Sequence, residues 1–120
     1  MADMKLEIMK KEVYFYPDVL VTCNAEDHKA EKFMRFPVMV AEILSGSTAA
    51  FDRGDKARYY RSLPSLKEFA LIDPERRRIE LYIRTRQNTW ELLDINPEHP
   101  LPLHCLDLEI PWHRIFRNVD

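Results

Sequence analysis

Pro37-Val38-Met39-Val40-Ala41-Glu42-Ile43-Leu44-Ser45-Gly46-Ser47-Thr48 is the stretch on which the fold turns. Both alternating sets of positions in residues 38–44 are largely apolar, the pattern of a central strand buried on both faces. Ser45 to Thr48 break that run and offer hydroxyl N-caps, and residues 49–63 hold good helix formers that stop before Pro64. A strand therefore feeds a helix directly. Strand alternation places Val38, Val40, Glu42 and Leu44 on one face, so the Glu42 carboxylate emerges among aliphatic neighbours. An ionised carboxylate withdrawn from water is costly unless it is paired or bound to a cation. Glu42 is thus a candidate metal ligand, against the plainer alternative that it lies near the strand end and reaches solvent.

Upstream, residues 4–9 and 14–23 read as two strands joined by the polar turn Lys10-Lys11-Glu12, a hairpin. The second strand, Tyr14-Phe15-Tyr16-Pro17-Asp18-Val19-Leu20-Val21, carries an acid in an apolar aromatic run. Pro17 cannot donate to a strand ladder, so the strand is irregular or at an edge where Asp18 occurs, which suits a bulge that aims a side chain into a site. An acid that merely protects an edge is the alternative. Residues 24–35 are charged and aperiodic, a loop or a short surface helix.

Downstream, residues 68–72 and 78–83 are β-rich and flank the turn Asp73-Pro74-Glu75-Arg76, a second hairpin. Residues 89–95 predict another strand, 96–102 a Pro-rich loop, and 111–116 a short closing helix with Pro at its start. The order ββ, β, α, ββ, β, α predicts an α+β class with a mixed or mostly antiparallel sheet. A length of 120 residues fits one domain, residues 1–120.

With 46% hydrophobic and 32% charged residues, the composition is that of an ordered globular protein. No apolar stretch approaches the ~20 residues of a membrane helix, and the first residues lack a secretory pattern, so a cytoplasmic location is expected. Cys23 and Cys105 are then expected to be free core thiols. The formal net charge of −2 opposes a general electrostatic grip on nucleic acid. Basic residues nevertheless cluster at Lys10-Lys11, between Arg53 and Arg61, at Arg76-Arg77-Arg78, and at Arg84 and Arg86, either as a solvated surface or as local phosphate contacts. His28, His99, His104 and His113 show no zinc spacing, and there is no Gly-rich phosphate loop. His104 and Cys105, if on a strand, point to opposite faces.

Within the helix, Ala49, Asp52, Lys56, Tyr59, Tyr60 and Leu63 lie along one stripe. Asp52 and Lys56 alone would be an ordinary i,i+4 surface pair. The helix, however, begins directly after the strand that carries Glu42, which lets it lay Lys56 over the same strand end. Two carboxylates and an ammonium group suit phosphodiester hydrolysis: the acids hold Mg²⁺ (or Mn²⁺), and the lysine orients water or stabilises phosphate charge.

Asp18 with its neighbours, Val40-Ala41-Glu42-Ile43-Leu44-Ser45-Gly46-Ser47-Thr48, Phe51-Asp52-Arg53-Gly54-Asp55-Lys56, Tyr59-Tyr60 and Leu63-Pro64-Ser65-Leu66 together resemble a bacterial family of putative restriction endonucleases. The resemblance implies a PD-(D/E)XK nuclease-like core in which Asp18 matches the first acid and Glu42 the second, both as metal ligands. Leu44 stands where that motif carries its lysine, and the family's helix lysine falls on Lys56. Gly46 replaces a proline common between the two serines. Typical members begin with a further helix that contributes an acid, so the resemblance also implies an N-terminally truncated chain, whose uncovered sheet face would favour a homodimer. It implies a Mg²⁺-dependent endonuclease acting on DNA. The alternative is a catalytically inactive remnant of the nuclease fold serving as a DNA-binding or oligomeric interaction module.

Overall fold

The run that begins at Pro37 becomes the second of five strands in the main sheet. A computed structural model describes residues 5–9, 13–29, 34–46, 52–96 and 99–115, without the side chains of Met9, Val13, Asp52, Arg53 and Cys105. In chain order the strands are β1 Leu6–Met9, β2 Val13–Phe15, β3 Val19–Thr22, β4 Pro37–Ile43, β5 Glu68–Asp73, β6 Arg78–Arg84, β7 Trp90–Ile95, β8 Leu101–Leu103 and β9 Leu108–Ile110. The main sheet has the order β3-β4-β5-β6-β7, while β1-β2 and β8-β9 form separate two-stranded sheets. Among the described strands of this sheet, β4 and β5 alone pair in parallel; β3–β4, β5–β6 and β6–β7 are antiparallel. The sheet is therefore mixed and the class α+β.

A parallel pair needs a crossover, and the segment after β4 supplies it. Its described part is a π-helical turn, Asp52–Lys56, followed by the helix α2, Ala57–Arg61. The helix stops at Arg61, two residues before the expected end, with the Ser62 N–H donating to the Tyr59 carbonyl and the Leu63 N–H to the Tyr60 carbonyl. Ala49 lies outside the described residues. Two shorter helices are α1, Ala25–Lys29, and α3, Trp112–Ile115.

Alternation along β4 and β5 builds two cores. Val40, Leu44, Phe69 and Leu71 face one way and pack with Leu6, Ala57, Tyr60, Leu63 and Leu66. Met39, Ala41 and Ala70 face the other way and pack with Ile79, Leu81, Leu101 and Leu103. Val38 departs from its expected face and packs against this second core, because the β3–β4 register slips between Val21 and Thr22. Each wholly buried Leu, Val or Phe in these layers contributes about 1.5–3 kcal/mol. The crossover helix and β1 cover one face; β8 and α3 cover the other. An uncovered face, from which self-association was expected, is thus not seen among the described residues.

The strand expected over residues 14–23 is broken at Tyr16, Pro17 and Asp18, and its halves join different sheets. Proline supplies no ladder N–H, so the chain changes sheets there. The charged stretch after β3 holds α1 and a buried acid, Asp27, which accepts from the backbone N–H of Arg35 and Phe36, each at 2.8 Å, and from Thr22 Oγ1 at 2.7 Å. Two expectations are corrected here. Cys23 is exposed rather than in the core, since it follows the end of β3; the Cys105 side chain lies outside the description. His104 opens a 3₁₀ turn, His104–Leu106, between β8 and β9 rather than lying on a strand, and Nδ1 meets the buried Glu68 carboxylate at 3.3 Å.

Candidate active site

Asp18 reaches the end of β4 because the chain bends at Pro17. Past the last β3–β4 pair, Val19 with Ala41, no strand residue faces Ile43 across the edge, and Asp18 Oδ2 accepts the Ile43 N–H at 2.7 Å. The half-buried carboxylate thereby stands in for a ladder carbonyl and is held beside Glu42.

Glu42 is 3% exposed. Its face is the one the crossover helix covers, and the helix meets it with two donors. Lys56 and Tyr60 are four residues apart, hence on one helical face, and Lys56 Nζ and Tyr60 Oη both lie 2.5 Å from Glu42 Oε2. Aromatic rings wall the contact: Phe15 meets Tyr59 and Tyr60 edge-on at 5.7 and 5.5 Å, and Lys56 Nζ stands 5.3 Å from the Phe15 centroid. The Lys56 side chain is 15% exposed.

Burial pushes the Glu42 carboxyl above the ordinary carboxylate range, against the lowering effect of Lys56 and Tyr60, and a hydrogen bond with the Asp18 carboxyl pushes it the same way. Two carboxylates close to one another repel when both are ionised, which favours a proton or a cation between them. Among the described residues no group of three or more His, Cys, Asp or Glu could hold a metal. Mg²⁺ is commonly held by one or two carboxylates and completes its shell with water and phosphate oxygens, so the hard oxygen pair Asp18 and Glu42 fits that ion.

A family model described as putative restriction endonucleases matches residues 1–113. The chain belongs to the Uma2 family. Two relatives are uncharacterized proteins of Synechocystis: one is 34% identical over 118 residues, covering 98% of this chain and 62% of its own length. The other is 38% identical over 102 residues, covering 82% and 56%. This Uma2 chain therefore spans about three-fifths of those relatives. Its fold is that of a protein described as a putative nuclease from Anabaena variabilis, with a TM-score of 0.69, 16% identity, and coverage of 100% of this chain and 68% of that one.

Of the residues expected in the site, Lys56 contacts Glu42 and Asp18 binds the backbone of the next residue, Ile43; the side chain of Asp52, on the same helix stripe as Lys56, lies outside the described residues. Tyr60, placed by the sequence on the same helix stripe as Lys56, is also a donor to Glu42. Its i+4 spacing from Lys56 was the available signal. Arg84, expected in a basic surface cluster, instead turns inward. Its Nε donates to the Leu66 carbonyl at 2.7 Å and its Nη2 to the Leu63 carbonyl at 2.8 Å, while the guanidinium lies 4.5 Å over the Trp90 ring.

Proposed function

We propose that this chain is a Mg²⁺-dependent (or Mn²⁺-dependent) endonuclease with a PD-(D/E)XK-type site that hydrolyses DNA phosphodiester bonds. The observation that carries the reading is the convergence of two carboxylates, Asp18 and Glu42, with the Lys56 ammonium at the C-terminal end of β4. Asp18 and Glu42 would hold the divalent ion, which when bound polarises a phosphoryl oxygen and acidifies a water. Lys56 Nζ hydrogen-bonds the attacking water or steadies charge on the phosphate, and Tyr60 Oη keeps the Glu42 carboxylate aimed. Pro17 fixes the bend that presents Asp18.

One observation favours a second reading, the inactive remnant. Lys56 already answers the Glu42 charge at 2.5 Å, so the pair is satisfied without a divalent ion. Calorimetric titration with Mn²⁺ or Mg²⁺ separates the two. Binding by the wild type that is lost in the Asp18→Asn, Glu42→Gln double variant supports the nuclease; no binding by either protein supports the remnant. In the same series Lys56→Ala should retain ion binding and cleave DNA about 100-fold more slowly, the usual scale for one preorganised charge-stabilising donor.

The reading includes action in the cytoplasm, where DNA is at hand; no helix among the described residues is long and apolar enough to cross a membrane. It also includes a homodimer. We assign its contact to the β3 edge, where Val19, and Ile43 at the end of neighbouring β4, are 41% and 50% exposed and β3 pairs on one side among the described residues. Sedimentation of Val19→Lys against wild type tests this assignment.

A further inference from the structure

The parallel register of β4 and β5 decides what else stands at the end of the sheet that carries the acid pair. Ile43 pairs with Ile72, and the Leu44 N–H bonds the Ile72 carbonyl at 2.7 Å, so both strands finish level. β5 then turns through Pro74-Glu75-Arg76-Arg77 into β6, whose first residue, Arg78, pairs with Asp73. The arginine-rich turn is therefore at the Glu42 end of the sheet, one to two strands away. With strands about 4.8 Å apart, that is on the order of 5–10 Å sideways.

Arg78 is committed to an ion pair with Asp94 at 3.2 Å. Arg76 and Arg77 are exposed. Their backbone is held: Asp73, 8% exposed, accepts the Arg76 N–H at 3.1 Å, and Arg77 sits in the left-handed region with φ 51°. A non-glycine residue there is uncommon and gives the turn one defined shape. Arg77 and Arg78 also line a recess of about 310 Å³ with Asn96 and Trp112. Glu75 is exposed in the same turn, so recognition rests on two arginines carried by a held backbone rather than on a broad positive field.

We infer that the β5–β6 turn is a phosphate-contacting surface for duplex DNA, with Arg76 and Arg77 gripping the backbone beside the Asp18 and Glu42 site. This rests on the endonuclease reading for its choice of partner. An offset of this size lets the turn meet phosphates within a few nucleotides of the one at Glu42. A local contact of this kind is compatible with a chain whose net charge is −2. Arginine matches phosphate geometry with two parallel donors, which a lone lysine cannot do.

The test is fluorescence anisotropy of a labelled 20-base-pair duplex in chelator, at several salt concentrations, with wild type and the Arg76→Gln, Arg77→Gln double variant. Each lost phosphate contact should reduce the slope of log affinity against log salt by about 0.9, so the variant's slope should be shallower by nearly 2. Mn²⁺ titration of the same variant should match wild type, because neither arginine belongs to the ion site. An unchanged slope, or no duplex binding by wild type, overturns the inference. So does an arginine-dependent preference for single-stranded DNA or RNA of equal length. The two proposals fail separately: loss of the slope effect with intact Glu42-dependent ion binding leaves the endonuclease reading standing. Arginine-dependent duplex binding without ion binding or cleavage leaves only the surface.

Discussion

Tyr60 Oη donates to Glu42 Oε2 across 2.5 Å, tying the crossover helix to the strand it passes over. Both groups are buried, Tyr60 at 0% and Glu42 at 3% exposure, so neither finds water if the other is lost. The same oxygen receives Lys56, which makes the contact a three-residue junction rather than an isolated bond.

Tyr60→Phe removes the hydroxyl while keeping the ring between Phe15 and Phe69. A hydrogen bond to a charged acceptor is worth about 1.5–3 kcal/mol, so urea unfolding should show a loss near 2 kcal/mol with an unchanged slope. No loss would mean that Lys56 alone satisfies the carboxylate.

Stability of the metal-free protein should fall as pH rises from the usual glutamate value of 4.5 up to the elevated pKa of Glu42. In that window the folded protein keeps a proton that the unfolded chain has released, and the state that binds fewer protons gains as pH increases. Below the window Glu42 is protonated in both states; above it the difference stays constant. Glu42→Gln cannot titrate at this position, so its thermal melting should lack this component of the decline. Parallel pH profiles for the two proteins would remove burial as the governing influence on Glu42.

Arg84 clamps the segment between α2 and β5 through the Leu63 and Leu66 carbonyls, with Nη1 on Asn88 Oδ1 at 2.6 Å. Lysine has one nitrogen and cannot span these acceptors. Arg84→Lys should therefore lose about 3 kcal/mol, close to the loss for Arg84→Met, as expected when hydrogen bonds from a charged donor are broken. Recovery of most of the stability by lysine, in chemical denaturation, would show that charge over the Trp90 ring matters more than the fork.

Much of this site was legible in local pattern. An acid in an apolar run at Glu42, and one beside a proline at Asp18, are anomalies of alternation that need no tertiary knowledge to notice. The strand-to-helix order likewise placed Lys56 near the Glu42 strand end. The contact of its Nζ with Oε2 depends on helix depth over the sheet, which no spacing rule specifies.

Other features were invisible for the same reason. The β8–β9 pair was missed because β8 begins inside the stretch read as a Pro-rich loop, β9 lies in residues that suggested no element, and pairing rather than composition makes them a sheet. Arg84 resembled its neighbours in a basic cluster, yet long-range contact with the end of α2 turned it inward. The shared end of β4 and β5 followed only from their parallel register, and that register brought the arginine turn level with the acids.

From sequence alone came the α+β class, the strand that feeds a helix, and the candidate residues Asp18, Glu42 and Lys56, because periodicity and misplaced charges are local properties of the chain. Tertiary structure alone decided that Tyr60 shares the Glu42 oxygen, that Arg84 works inside, and that Cys23 is exposed. These depend on which distant segments pack together, and packing is set by the summed burial of both cores rather than by any one stretch of residues.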